Sequence, residues 1–170
     1  MRAVIGIDPG TSGGVALMCD RALWACYYVE GAKEQTVTET AYMVGTWLST
    51  TTVSEIVIAY ESNKVHRQPG DPTKGALLAG RMLQALEREL RERRLPKPVV
   101  VPVTSDTWRK DLWGFCRIEG NRKAWKALAI KYCDRHHPDW RRLSEVRAQA
   151  KLEDVAEGVC IAESVFGGAQ

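Results

Sequence analysis

The stretch Ala3-Val-Ile-Gly-Ile-Asp-Pro-Gly-Thr-Ser-Gly-Gly-Val-Ala16 decides how this chain is read, because it carries one carboxylate, Asp8, to the end of an apolar run and then turns sharply back. Ala3 to Ile7 is β-branched and apolar, the pattern of a strand buried on both faces. Pro9-Gly10 and Gly13-Gly14 are turn formers, and Val15-Ala-Leu-Met18 resumes the apolar run, so the local reading is a hairpin. Asp8 either opens an Asx-type turn or serves as a ligand, since an unpaired carboxylate at the rim of a core strand is costly to bury and a cation removes that cost. A Gly-rich phosphate cradle is a third option, but neither GxxxxGK[ST] nor GxGxxG is present. The other acids must decide.

Working outward, 22–29 has the aromatic and β-branched content of a third strand, which completes an antiparallel meander. Residues 34–48 place Val37, Ala41, Val44 and Leu48 on one helical face. Glu55-Ile-Val-Ile-Ala-Tyr60 is a buried strand closing on a second acid, Glu61. Residues 62–74 read as a polar loop whose cations, Lys64, His66, Arg67 and Lys74, suit a polyanion as well as they suit plain solvent. Residues 76–93 form an amphipathic helix, 98–103 a fifth strand, and Thr104 caps a short helix. Residues 120–132 read as a helix with Ala124, Leu128 and Tyr132 inward and Arg122, Lys123, Lys126 and Lys131 outward. A last helix, beginning near 144 or 152, runs to Phe166.

The 170 residues fit one domain with a full core. Lys plus Arg number 24 against 21 Asp plus Glu, a mild basic balance that neither demands nor excludes nucleic acid. The five cysteines, Cys19, Cys26, Cys116, Cys133 and Cys160, are irregularly spaced and suit reduced thiols of a cytoplasmic protein. Cys133 with His136 and His137 lacks the CxxC partner a zinc site needs. No signal peptide and no apolar run of about 18 residues occurs, so no membrane association is expected.

Asp154 and Glu157, three apart in the last helix, share a face and repel unless solvated or held by a cation. Strands one and four, joined by a meander and a helical crossover, pair in parallel and end at one sheet edge, with Asp8 beside Glu61. Four carboxylates without histidine or thiol select Mg²⁺ or Mn²⁺. Two such ions roughly 4 Å apart suit in-line displacement at a phosphodiester.

Ile5-Gly-Ile-Asp-Pro-Gly10 with Gly13-Gly14, the strand closing at Glu61, and Asp154-Val-Ala-Glu-Gly-Val-Cys-Ile-Ala162 together resemble the RuvC-like Holliday junction resolvases of the RNase H-like nuclease superfamily, in matching order over nearly the whole chain. The resemblance implies a single nuclease domain over 1–170, built on a five-stranded mixed α/β sheet, a three-strand meander plus two parallel strands, flanked by helices. It implies Asp8, Glu61, Asp154 and Glu157 as catalytic ligands of two Mg²⁺ ions, a homodimer organised near helix 76–93, and branched DNA, above all a four-way junction, as substrate, with no nucleotide cofactor. Lys123 and Lys126, with Arg122 beside them, become the phosphate contacts, and Lys151, one turn before Asp154, a candidate for reaching the scissile phosphate where the alternative is a solvated side chain. Two departures stand out. Glu157 occupies a position where the family usually has Asp, and the aromatic wedge after the second acid is absent, Val65 and His66 standing there instead. Broader branched-DNA cleavage, as among phage-type relatives, an RNase H-like or flap nuclease, and a non-catalytic nucleic-acid binder are the alternatives.

Overall fold

The computed structural model describes residues 1–31, 33–62, 72–114, 122–144 and 146–167. In chain order the elements are β1 (Arg2–Asp8), β2 (Gly13–Cys19), β3 (Ala22–Val29), α1 (Glu34–Ser49), β4 (Glu55–Glu61), α2 (Pro72–Glu92), β5 (Val99–Val103), α3 (Ser105–Trp113), α4 (Arg122–His136), α5 (Trp140–Ser144) and α6 (Gln149–Gly167). The five strands form one mixed sheet in the order β3-β2-β1-β4-β5. The meander is antiparallel, and β1/β4 and β4/β5 are parallel, as expected.

Strand parity decides which side each acid faces. In β1, Ala3, Ile5 and Ile7 join the core under α1 and α2, whereas Val4 joins the core under α3 to α6. Asp8 keeps parity with Val4 and Gly6, so it is directed to the α6 side. In β4, Ile56 and Ile58 belong to the first core and Val57 and Ala59 to the second, which sends Glu61 to the same side as Asp8. The parallel register sets Ile7 opposite Tyr60, leaving Asp8 and Glu61 adjacent at one rim.

α6 lies on β1 and β2 at a separation that only glycines allow. A Cβ on Gly14 would overlap the Asp154 carbonyl, one on Gly6 would come within 2.6 Å of the Ala162 nitrogen, and one on Gly158 within 2.9 Å of the Gly14 carbonyl. The Gly13-Gly14 pair, read from sequence as a turn, thus opens β2, and Gly14 seats the helix that carries Asp154 and Glu157.

Several boundaries differ from the sequence reading. α2 begins at Pro72, so 72–74 belong to a helix and not to the preceding loop; a proline in the first turn loses no hydrogen bond there. α4 runs on to His136 with Trp125, Ala129, Ile130 and Cys133 buried, not the face of Ala124, Leu128 and Tyr132. Trp140–Ser144 forms a separate helix, and Trp140 is fully buried against the α6 side of the sheet. The Thr104 cap holds, its hydroxyl accepting from the Thr107 N–H. Cys19, Cys26, Cys133 and Cys160 are buried free thiols. Among the described residues, no helix is long and apolar enough to cross a membrane.

Candidate metal centre

Asp8, Asp154 and Glu157 converge: each offers a carboxylate oxygen within 4.8 Å of the others, and all three residues are buried, at 8%, 6% and 4% exposure. β1 delivers the first at its C-terminal end. The i, i+3 spacing in α6 delivers the other two on one face, beside the glycine contact. Glu61, at the end of β4, is close enough for its charge to bear on Asp8 and Glu157, but it lies outside that tight group of three. Its Oε2 accepts a 2.9 Å hydrogen bond from the indole N–H of the buried Trp108.

The acids are unequally partnered. Asp154 accepts from the Ser12 hydroxyl at 2.8 Å and from the Lys126 ammonium at 2.5 Å. Lys126 also lies 3.6 Å from Glu153 and 4.0 Å from Glu157. Glu157 faces Arg109 at 3.8 Å on its other side. The Asp8 Oδ2 atom is buried and accepts no hydrogen bond, a costly state for a carboxylate.

Protonation follows from this crowding. Burial, and then the charges of Glu157, Glu61 and Asp154, push Asp8 well above the usual carboxylate range, with Lys126 only partly offsetting them. Burial raises Glu157 to about 7, with Lys126 and Arg109 opposing and Glu61 adding to the rise. Burial works against the charge of Lys126, but the hydrogen bond and charge of Asp154 outweigh it and hold the ammonium more firmly protonated than usual. A cluster in which Asp8 and Glu157 resist ionisation, and in which Asp8 retains an orphaned buried oxygen, is short of positive charge. Three carboxylates with no nitrogen or sulfur donor fit a hard divalent cation.

No protein-family model and no curated protein matches the chain. Solved structures do. Thermus thermophilus RuvC superposes with a TM-score of 0.53 at 18% identity, over 98% of this chain and 95% of that one. T. thermophilus RuvC in complex with a Holliday junction substrate gives 0.58 at 18% identity over 99% and 95%. The chain has the RuvC fold. The yeast mitochondrial Holliday junction resolvase Ydc2 superposes less closely, at 0.46 and 13% identity over 96% of this chain and 77% of that one. The RuvC fold is an RNase H-like one, the class that the resemblance in the three sequence motifs implies.

Around this RuvC-fold centre, the basic residues named from sequence separate. A cleft of about 310 Å³ is lined by Thr11, Ser12, Tyr28, Arg122, Lys126 and Lys151, among others, and reaches the acid group through Asp154. Arg122 and Lys123 are exposed at the start of α4. Lys151 is exposed, with its ammonium 4.7 Å from the centre of the Tyr28 ring. Lys126 departs from the outward, phosphate-facing placement expected of it: its ammonium turns into the acids, because three carboxylates compete for it there. Lys64, His66 and Arg67 lie outside the described residues, as does Cys116, and Lys74 falls in the first turn of α2.

Sequence reasoning missed Ser12, Trp108 and Arg109. The Arg109 guanidinium lies 5.0 Å from the Trp108 ring centre and 4.5 Å from that of Trp125, and Trp113 stacks on Trp125 at 5.5 Å. The Trp108-Arg109 pair in a capped helix was the available signal, but nothing local says that α3 abuts the acids.

Proposed function

We propose that this chain is a divalent-metal-dependent endodeoxyribonuclease that hydrolyses phosphodiesters in four-way junctions and related branched DNA, with residues 1–170 forming a single nuclease domain. The observation that carries the reading is the buried trio Asp8, Asp154 and Glu157, with its orphaned Asp8 Oδ2, beside a cationic cleft on a RuvC fold. T. thermophilus RuvC, the neighbour of the same fold, has a structure with a Holliday junction substrate, which supports branched DNA as the ligand class.

Asp8, Asp154 and Glu157 would hold the cation, with Glu61 completing the set for a second ion; Mg²⁺ fits, and Mn²⁺ substitutes by the same oxygen preference. When bound, the ions supply Lewis-acid neutralisation of the charge that builds up on the phosphodiester. The chain's own residues position the ligands. Ser12 fixes one oxygen of Asp154, the Trp108 N–H fixes Glu61, and Arg109 braces Glu157 from the side away from Lys126. Arg122 and Lys151 on the cleft wall bind backbone phosphates, which sets the register of the strand without reading its sequence. Assembly is proposed as a homodimer through α2, supported by the exposed Leu77 and by Gly80, beside which no atom would meet an added Cβ.

The test is a substrate panel in Mg²⁺: a synthetic four-way junction, a flap, linear duplex and an RNA·DNA hybrid at equal salt. Preferential cutting of the junction is expected. Preference for the hybrid or flap would transfer the same chemistry to another substrate, and binding without any cutting would remove the enzymatic reading.

A further inference from the structure

The acid centre already contains positive charge, and its two cations are held in different ways. Arg109 is caged between the Trp108 and Trp125 rings, and a planar guanidinium so stacked has little freedom to leave. Lys126 is a compact ammonium on a flexible stem. It touches Asp154 at 2.5 Å, Glu153 at 3.6 Å and Glu157 at 4.0 Å, yet it also lines the open cleft shared with Arg122 and Lys151. It therefore stands between the place a cation would take and the place a phosphate would take.

Resting on the metal-dependent nuclease reading, we propose that Lys126 is a displaceable counter-ion of the acid centre that couples divalent-cation binding to phosphate binding in the adjacent cleft. Without DNA the ammonium competes with the cation for Asp154 and Glu157. A phosphate in the cleft, drawn there by Arg122 and Lys151, offers the ammonium a new anionic partner, and its departure returns the acids to the cation. By thermodynamic linkage the cation must strengthen DNA binding by the same factor. The device compensates part of the centre's negative charge in the free protein and favours full metal loading where substrate is present. Lys126 is accordingly a positioning residue whose first effect is on metal affinity.

The experiment is calorimetric titration of Mn²⁺ into the intact protein, wild type against Lys126→Met and Lys126→Gln. It is repeated with Ca²⁺ in the presence and absence of a four-way junction. Removing the ammonium is expected to raise the DNA-free Mn²⁺ affinity by roughly tenfold, the ratio of one lost competing contact. Junction DNA is expected to raise the Ca²⁺ affinity of the wild type several-fold more than that of either variant. Equal or weaker Mn²⁺ binding by folded variants, or the same gain from DNA in all three proteins, would overturn the proposal. Asp8→Asn separates this from the underlying reading. If it binds Mn²⁺ as tightly as wild type, the acid centre is no metal site; if it loses Mn²⁺ while the Lys126 variants match wild type, only the coupling fails.

Discussion

The carbonyl of Asp154 sits over the Cα of Gly14 so closely that no side chain fits between them. This contact brings the acids of two remote stretches into one group, because it fixes the height of α6 above the sheet and hence the approach of Asp154 and Glu157 to Asp8. Gly14→Ala is expected to destabilise the fold by about 1–3 kcal/mol, the usual cost of overpacking, and to weaken Mn²⁺ binding because the helix must lift. Urea unfolding and calorimetry on the same sample check both effects. A variant of wild-type stability would mean that α6 is not seated on the glycine.

Stability without metal should fall as pH rises. Asp8 and Glu157 have folded values raised above their unfolded ones, so the folded protein holds protons that the unfolded chain has released. By linkage, stability declines from about the unfolded value of Glu157, 4.5, through its folded value of about 7, by an amount on the order of a few kcal/mol. Denaturation midpoints in EDTA between pH 5 and 8 should drop, and drop less in Glu157→Gln. Added Mn²⁺ should restore stability at the alkaline end. A flat profile for the wild type would contradict the crowding of the acids.

Trp108→Phe keeps most of the buried ring and removes the hydrogen bond donated to Glu61. A stability loss of roughly 1–3 kcal/mol is expected for a bond to a charged group. Cleavage should slow through kcat while KM for the junction stays near wild type, because the residue orients an acid and does not touch DNA. A change confined to KM would refute that role.

Much of this arrangement is legible in the sequence, and the part that is not has a physical cause. Strand parity and the acids at strand ends carry real information: an apolar run ending in Asp8 and another ending in Glu61 reach one rim once the strands are parallel. The i, i+3 spacing of Asp154 and Glu157 is equally explicit. The direction of Lys126 is not, because α4 is rich in alanine, and small side chains mark no face. The face that α4 buries carries Trp125 instead of Ala124, Leu128 and Tyr132, and Lys126 turns with it. Arg109 and Ser12 escaped notice for another reason, since their roles depend on which element packs beside them. Ser12 reaches Asp154 across 142 positions of sequence.

The cleft predicts how DNA binding depends on salt. Replacing Arg122 and Lys151 together by alanine should weaken junction binding and flatten the slope of log affinity against log salt by about two, one phosphate contact for each residue. Fluorescence anisotropy over a salt series measures it. An unchanged slope would place the phosphates elsewhere on the surface.

The most direct test of the central claim is cleavage of a synthetic four-way junction by the wild type and by Asp8→Asn, in Mg²⁺ and in EDTA, at matched DNA occupancy. The account predicts cutting by the wild type in Mg²⁺ alone and a loss on the order of a hundredfold or more in the variant, the scale of removing one transition-state charge contact, with junction binding retained. Equal cutting by the two proteins, or cutting undiminished by EDTA, would contradict it.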